Sequence, residues 1–168
     1  MASKDSPPRG ILIDLDFATQ VRDGDRILSP EPTFTGTLPF LSIDLLTASG
    51  PAPQRLYRHD LESFFYILGW MLARYDAHGR RKPLHQFTTW YKGPLDDIIS
   101  AKRKFMGVPS RVPSDRSLPS LQTWLRNLCR IVDSGYKEKD REPQNPHFDS
   151  ETFITFDTFM GATPQITL

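Results

Sequence analysis

Cysteine is almost absent: Cys129 is the only one in 168 residues. A lone thiol excludes an intramolecular disulfide framework, and a reducing compartment becomes the default expectation. Zinc would have to draw its ligands from four scattered histidines and from carboxylates. Charge of one sign is lacking too, with 21 Lys plus Arg against 20 Asp plus Glu. No global field therefore points to nucleic acid or to an anionic membrane surface. No apolar run is long enough to span a bilayer, and the opening MASKDSPPRG carries nothing like a signal-peptide core. These absences predict an intracellular protein, cytoplasmic or nuclear, without a nucleic-acid or membrane partner. The length suits one domain with a real core.

What the chain does have is one very apolar stretch, YRHDLESFFYILGWMLARY over residues 57–75. Between Leu61 and Leu72 only Glu62, Ser63 and Gly69 are not apolar, so a helix here must be buried by other elements. It reads as the central pillar of a mainly α fold. Around it, residues 37–48 predict a short helix, residues 84–91 a short helical piece with Phe87 and Trp90 inward, and Gly93-Pro94 restarts the chain into an amphipathic helix. That helix carries Leu95, Ile98, Ile99, Phe105 and Met106 on one face, with Lys102 on the same stripe, where a snorkelling stem is expected. Pro119 opens a further helix with the stripe Leu121, Trp124, Leu125, Leu128 and Val132, and Cys129 beside it as a small core residue. The charged, Pro-containing residues 134–149 predict a loop. Ser150 can cap a last helix carrying Phe153, Phe156 and Met160, although its threonines leave a strand open. The predicted core comprises Leu61, Phe64, Phe65, Leu68, Leu72, Trp90, Ile98, Phe105, Leu121, Leu125 and Leu128.

The N-terminal part is different in kind. Residues 1–9 predict a flexible leader, with order from Gly10 onward. Ile11, Leu12 and Ile13 form a short apolar run ending in Asp14, Leu15 and Asp16, as a buried strand or hairpin delivering acids to one end would. The same acids could equally mark a turn. Residues 19–39 are polar and punctuated by Asp23-Gly24, Ser29-Pro30 and Glu31-Pro32, and a loop of that length in a compact domain is usually functional or mobile.

Three pieces in fixed order, ILIDLDFA at 11–18, GTLPFLSIDLL at 36–46 and YRHDLESFFYILGWML at 57–72, together resemble the middle of a protein-kinase C-terminal lobe. More narrowly they resemble the fungal-type protein kinases, and TTWYKGPLDDIISAKRKFM is similar to a later helical segment of that family. The resemblance implies a C-lobe portion over residues 10–168. Asp14 then takes the place of the magnesium-binding acid, with Asp16 as a second carboxylate where kinases have glycine. Residues 19–39 become the activation segment, and Gly36 and Thr37 border the substrate site. Asp44 stands for the acid that anchors this segment to an arginine, here without an identified partner. Asp60 matches the buried acid at the start of the central helix that accepts hydrogen bonds from the catalytic-loop backbone, while the residues alone allow it to be an N-cap.

Complete relatives would use ATP and Mg2+ to phosphorylate a protein hydroxyl. In the chain as given, residues 1–13 cannot hold the catalytic loop, and no Asn occurs before Asn127. The expectation is a partial kinase domain, bound to no ATP or metal by itself and inactive alone. The rival is a non-catalytic helical scaffold derived from a kinase lobe, with a protein partner. A small-molecule phosphotransferase fits Gly36-Thr37 and Asp60 less well.

Overall fold

A computed structural model describes residues 36–47, 56–83, 86–108, 118–142 and 154–163. Five helices occupy them: α1 (Ile43–Thr47), α2 (Tyr57–Arg74), α3 (Leu95–Gly107), α4 (Pro119–Arg141) and α5 (Phe156–Gly161), with 3-10 turns at Leu38–Phe40 and Thr88–Trp90. The architecture is mainly helical, as the apolar periodicities predict. Among the described residues no strand forms, and a single antiparallel bridge joins Tyr75 to Arg81. The predicted leader and the strand or hairpin near Ile11 lie outside the described residues.

The helices start and stop for local reasons. Ser42 precedes α1 and its hydroxyl accepts from the Leu45 N–H at 3.4 Å, as a capping side chain does. At the start of α2 the His59 Nδ1 accepts from the Leu56 N–H at 3.1 Å, so a ring nitrogen takes the reciprocal part of a cap. Past its end, Lys82 Nζ donates to the Leu72 carbonyl, satisfying a C-terminal carbonyl with a cation, and Arg74 in return donates to the Lys82 carbonyl, tying the following turn back to the helix. Pro94 precedes α3, whose first turn carries Asp96 and Asp97, and Pro119 opens α4 where its missing N–H is not needed.

The core lies where α2, α3 and α4 meet. Phe65, Tyr66, Trp90, Phe105, Leu125, Leu128 and Val132 are buried there, with Phe87 and Phe105 stacked edge to face and Trp90 edge-on to both Tyr66 and Phe105. Close approach matters most at Gly69, where an added Cβ would stand 2.8 Å from Phe105 Cζ. A second cluster, Leu41, Leu45, Leu46 and Ile98, seats α1 on α3. At the far end, Thr155 caps α5 and Phe159 packs edge-on against Trp124.

Several expectations are corrected. Residues 134–141 are not loop: α4 continues to Arg141, because Gly135 and Tyr136 still face the core and Lys137–Asp133 and Arg141–Glu138 pair along its surface. Phe64 and Leu121 belong to the surface. On α5 the inward residue is Phe159, with Phe156 and Met160 exposed, and the cap is Thr155; Ser150 and Phe153 lie outside the described residues. Lys102 does not snorkel. Its amine is fully buried, and the reason is a set of partners that the stripe alone could not reveal.

Candidate functional site

Among the described residues, two clusters of ionisable groups lie beneath the segment 36–47. The first forms around Asp44 on α1. Its Oδ2 lies 2.5 Å from an Arg58 guanidinium nitrogen and 2.9 Å from Lys139 Nζ. Arg58 comes from the first turn of α2 and Lys139 from the last turns of α4, so one carboxylate ties three helices. Burial by itself would raise the Asp44 pKa, but the neighbouring His59 ring, the Arg58 guanidinium and the Lys139 ammonium overcome it and hold the carboxyl well below its usual range. His59 Nε2 lies 3.9 Å from the same oxygen, beyond hydrogen-bond length, while its Nδ1 is engaged at the helix start.

The second cluster is centred on Glu62, fully buried on α2. Its Oε1 accepts from the Ile43 N–H at 3.0 Å and from the Tyr66 hydroxyl at 2.7 Å, and its Oε2 accepts from the Tyr136 hydroxyl at 2.7 Å. Removal from water raises the carboxyl pKa, against the opposing pull of those three donors. Lys102 completes the arrangement from α3. Its ammonium sits 3.9 Å above the centre of the Tyr66 ring, 5.6 Å from that of Trp90, and donates to the Leu41 carbonyl. Burial pushes its pKa down to about 7, with the Glu62 charge acting in the opposite direction.

The two clusters do one thing together. They fix both ends of the short stretch Leu41–Asp44: Lys102 takes its first carbonyl, Glu62 the Ile43 amide and Arg58 with Lys139 the Asp44 carboxylate. Except for Lys139, whose side chain keeps 34% of its surface exposed, these groups are turned inward, so the arrangement is suited to holding backbone and not to presenting a nucleophile. The edge it holds in place, Gly36 and Thr37, is exposed, and the Thr37 carbonyl accepts from Phe40 N–H at 2.8 Å. Gly36 has φ 144°, a backbone region that favours glycine.

Of the sequence-predicted site residues, Gly36, Thr37 and Asp44 are brought into one segment, and the arginine partner for Asp44 is Arg58. Asp60 is exposed in the first turn of α2, and the N-cap position there is Leu56. Asp14 and Asp16 lie outside the described residues. Glu62, Tyr66, Lys102, Tyr136 and Lys139 were not singled out as site residues by sequence reasoning. A glutamate inside an otherwise apolar helix and a lysine on an apolar stripe were the signals available.

Residues 1–72 match the fungal protein kinase family. That stretch contains Gly36, Thr37, Asp44, Arg58 and Glu62, hence the segment and half of its anchors. Lys102, Tyr136 and Lys139 come from residues beyond the match and close the clusters from the other side. No curated protein and no solved structure matches the chain. Among the described residues no group of three or more His, Cys, Asp or Glu side chains could hold a metal, and no helix is long and apolar enough to cross a membrane.

Proposed function

We propose that the chain carries the part of a fungal-type protein kinase C-lobe that runs from the magnesium-binding acid to the helices supporting the substrate segment. In complete relatives this machinery would move the γ-phosphate of ATP to a protein Ser or Thr. On this reading Asp14, with Asp16, belongs to the metal site, Gly36 and Thr37 border the protein substrate, and Asp44 anchors the segment between them. The family match over residues 1–72 supports the reading. The observation that carries it is the buried anchoring of Leu41–Asp44 on α2, α3 and α4, because phosphoryl transfer depends on positioning and a substrate edge must be held rigidly.

Among the described residues no group of three or more His, Cys, Asp or Glu could hold a metal ion, and Asp14 and Asp16 lie outside them. The role proposed for this chain by itself is to hold and present a segment to a protein, in an intracellular setting. A second reading, a non-catalytic helical interaction module derived from such a lobe, is favoured by the inward orientation of both polar clusters.

Calorimetry of the purified chain with ATP, with and without Mg2+, tests whether the chain by itself holds a working metal site, with Asp14→Ala as control. Magnesium-dependent binding lost in Asp14→Ala supports a working metal site and overturns the non-catalytic module. Absence of binding in both proteins is what a partial kinase domain and the module both predict, and it means that the chain by itself has no working metal site.

A further inference from the structure

Arginine is used unevenly on the surface. Among the described residues, Arg58, Arg103 and Arg141 pair with carboxylates, Arg74 donates to the Lys82 carbonyl, and Arg126 and Arg130 donate to side-chain amide oxygens. Arg80 and Arg81 are exposed, and among the described residues neither guanidinium makes an ion pair, a hydrogen bond or a ring contact. They sit on a well-braced turn. After α2 the chain doubles back: the Asp76 N–H donates to the Arg80 carbonyl at 3.0 Å, the Lys82 N–H to the Arg74 carbonyl at 2.7 Å, and Asp76 Oδ1 accepts from the His78 and Arg80 amides at 2.9 Å. Gly79, at φ 73°, lets the turn close.

These bonds set Tyr75 directly opposite Arg81 as a non-hydrogen-bonded antiparallel pair, and side chains paired in that way share one face. Arg81 therefore stands on the face of the Tyr75 ring, and Arg80 on the other face with Asp76. The Tyr75 ring lies 6.3 Å from that of Trp70, which lies 6.1 Å from that of Phe40, so three half-buried rings join the Arg81 face to the exposed edge Gly36–Leu38. Two steps of that size are spanned by about four extended residues at about 3.3 Å each.

We propose that the protein lying along the edge Gly36–Leu38 is acidic, with an Asp or Glu about four residues from the residue at the edge meeting Arg81. The inference rests on the reading of that edge as the border of the protein substrate, and it names the class of that substrate. Charge chooses the occupant: residues 74–82 carry Arg74, Arg80, Arg81 and Lys82 against Asp76 alone, in a chain whose net charge is +1. Lys82 is turned to the Leu72 carbonyl and Arg74 to the Lys82 carbonyl, which leaves Arg81 as the cation offered on this face. Because the turn is already braced, an arriving segment orders little beyond the side chain itself.

Fluorescence anisotropy of the purified chain tests this with labelled extended peptides that carry a central Ser and, about four residues to either side, Glu, Gln or Lys. The Glu peptide should bind at least about fivefold more tightly than the Gln peptide, with a difference that shrinks as salt is raised. Arg81→Glu should abolish that preference and favour the Lys peptide, whereas Arg80→Glu, on the opposite face, should change it less. Leu38→Ser, at the edge, should weaken the binding of all the peptides. Both arginines are exposed and their side chains brace nothing in the turn, so their variants should keep the natural melting temperature. Equal binding of the Glu and Gln peptides, or a preference that survives Arg81→Glu while Leu38→Ser still weakens binding, overturns the acidic class and leaves the substrate edge standing. A Glu preference that is lost in Arg81→Glu but indifferent to Leu38→Ser overturns the edge as the substrate border, and the proposal with it. Binding of none of the peptides overturns the proposal as well.

Discussion

Replacing Glu62 by Ala removes one acceptor group from three buried donors: the Ile43 N–H and the hydroxyls of Tyr66 and Tyr136. A buried donor left without a partner costs about 1–3 kcal/mol. Two of the three are hydroxyls that can rotate, and removing a carboxylate from a dry interior recovers some desolvation, so the sum is expected near the low end, about 3–6 kcal/mol. Against a typical total stability of about 5–15 kcal/mol this is a large fraction. With a urea slope of about 1–3 kcal/mol per molar, the unfolding midpoint should fall by more than about 1 M. Glu62→Gln keeps one carbonyl oxygen for Ile43 and Tyr66 and should cost much less.

The diagnostic feature is non-additivity. Tyr136→Phe should cost about 1 kcal/mol in the natural background, where it deletes a satisfied hydrogen bond. In the Glu62→Ala background it should be neutral or stabilising, because it removes an orphaned hydroxyl. Urea unfolding of the four proteins measures both. A loss below about 1 kcal/mol for Glu62→Ala, or a strictly additive cycle, refutes the idea that Glu62 is the hub.

The other predictions follow the same geometry. Phe65→Ala, at a fully buried position, should cost about 3–5 kcal/mol, while Phe64→Ala, at an exposed one, should stay within about 0.5 kcal/mol, both read by thermal melts. Gly69→Ala forces a methyl against the Phe105 ring and should cost about 1–3 kcal/mol, lowering the melting temperature by several degrees. Asp44→Asn should destabilise at neutral pH by about 3–5 kcal/mol; since the folded carboxyl lies below its unfolded value near 4, that advantage is present above about pH 4 and is lost as pH falls further. For Lys102 the sign is opposite to that of an ordinary salt-bridged lysine. Its folded value is about 7 and its unfolded value 10.5, so the unfolded chain binds the extra proton between them and stability should rise with pH across that window. Lys102→Met should flatten this rise in a series of melts from pH 7 to 10.

The sequence made the helices legible because their apolar residues repeat at helical spacing and because Pro94 and Pro119 punctuate them. It made the segment Gly36–Asp44 legible through a resemblance, since nothing in its own spacing says that it faces a protein. It did not reveal Lys102, because an isolated lysine on an apolar stripe is normally a snorkelling one. Only the Leu41 carbonyl and the Tyr66 ring, respectively 61 and 36 positions away in the chain, turn the amine inward. The end of α4 was missed for a related reason. Its last turns are charged at nearly every position, and the residues that keep them helical, Tyr136 on Glu62 and Lys139 on Asp44, act through partners more than seventy residues earlier. Asp60 and Glu62 show the same limit: two acids two residues apart, the first exposed and the second fully buried, with only the helical phase to tell them apart.

The segment Leu41–Asp44 is held by the core and does not merely rest on it. Amide hydrogen exchange at Ile43 tests this most directly, because that N–H is bonded to Glu62 Oε1 and to nothing local. It should exchange as slowly as the buried amides of α2 in the natural protein, and in Glu62→Ala should exchange at least about a hundredfold faster than those same α2 amides. An Ile43 amide that already exchanges quickly in the natural protein, or whose rate relative to α2 is unchanged by Glu62→Ala, would contradict it.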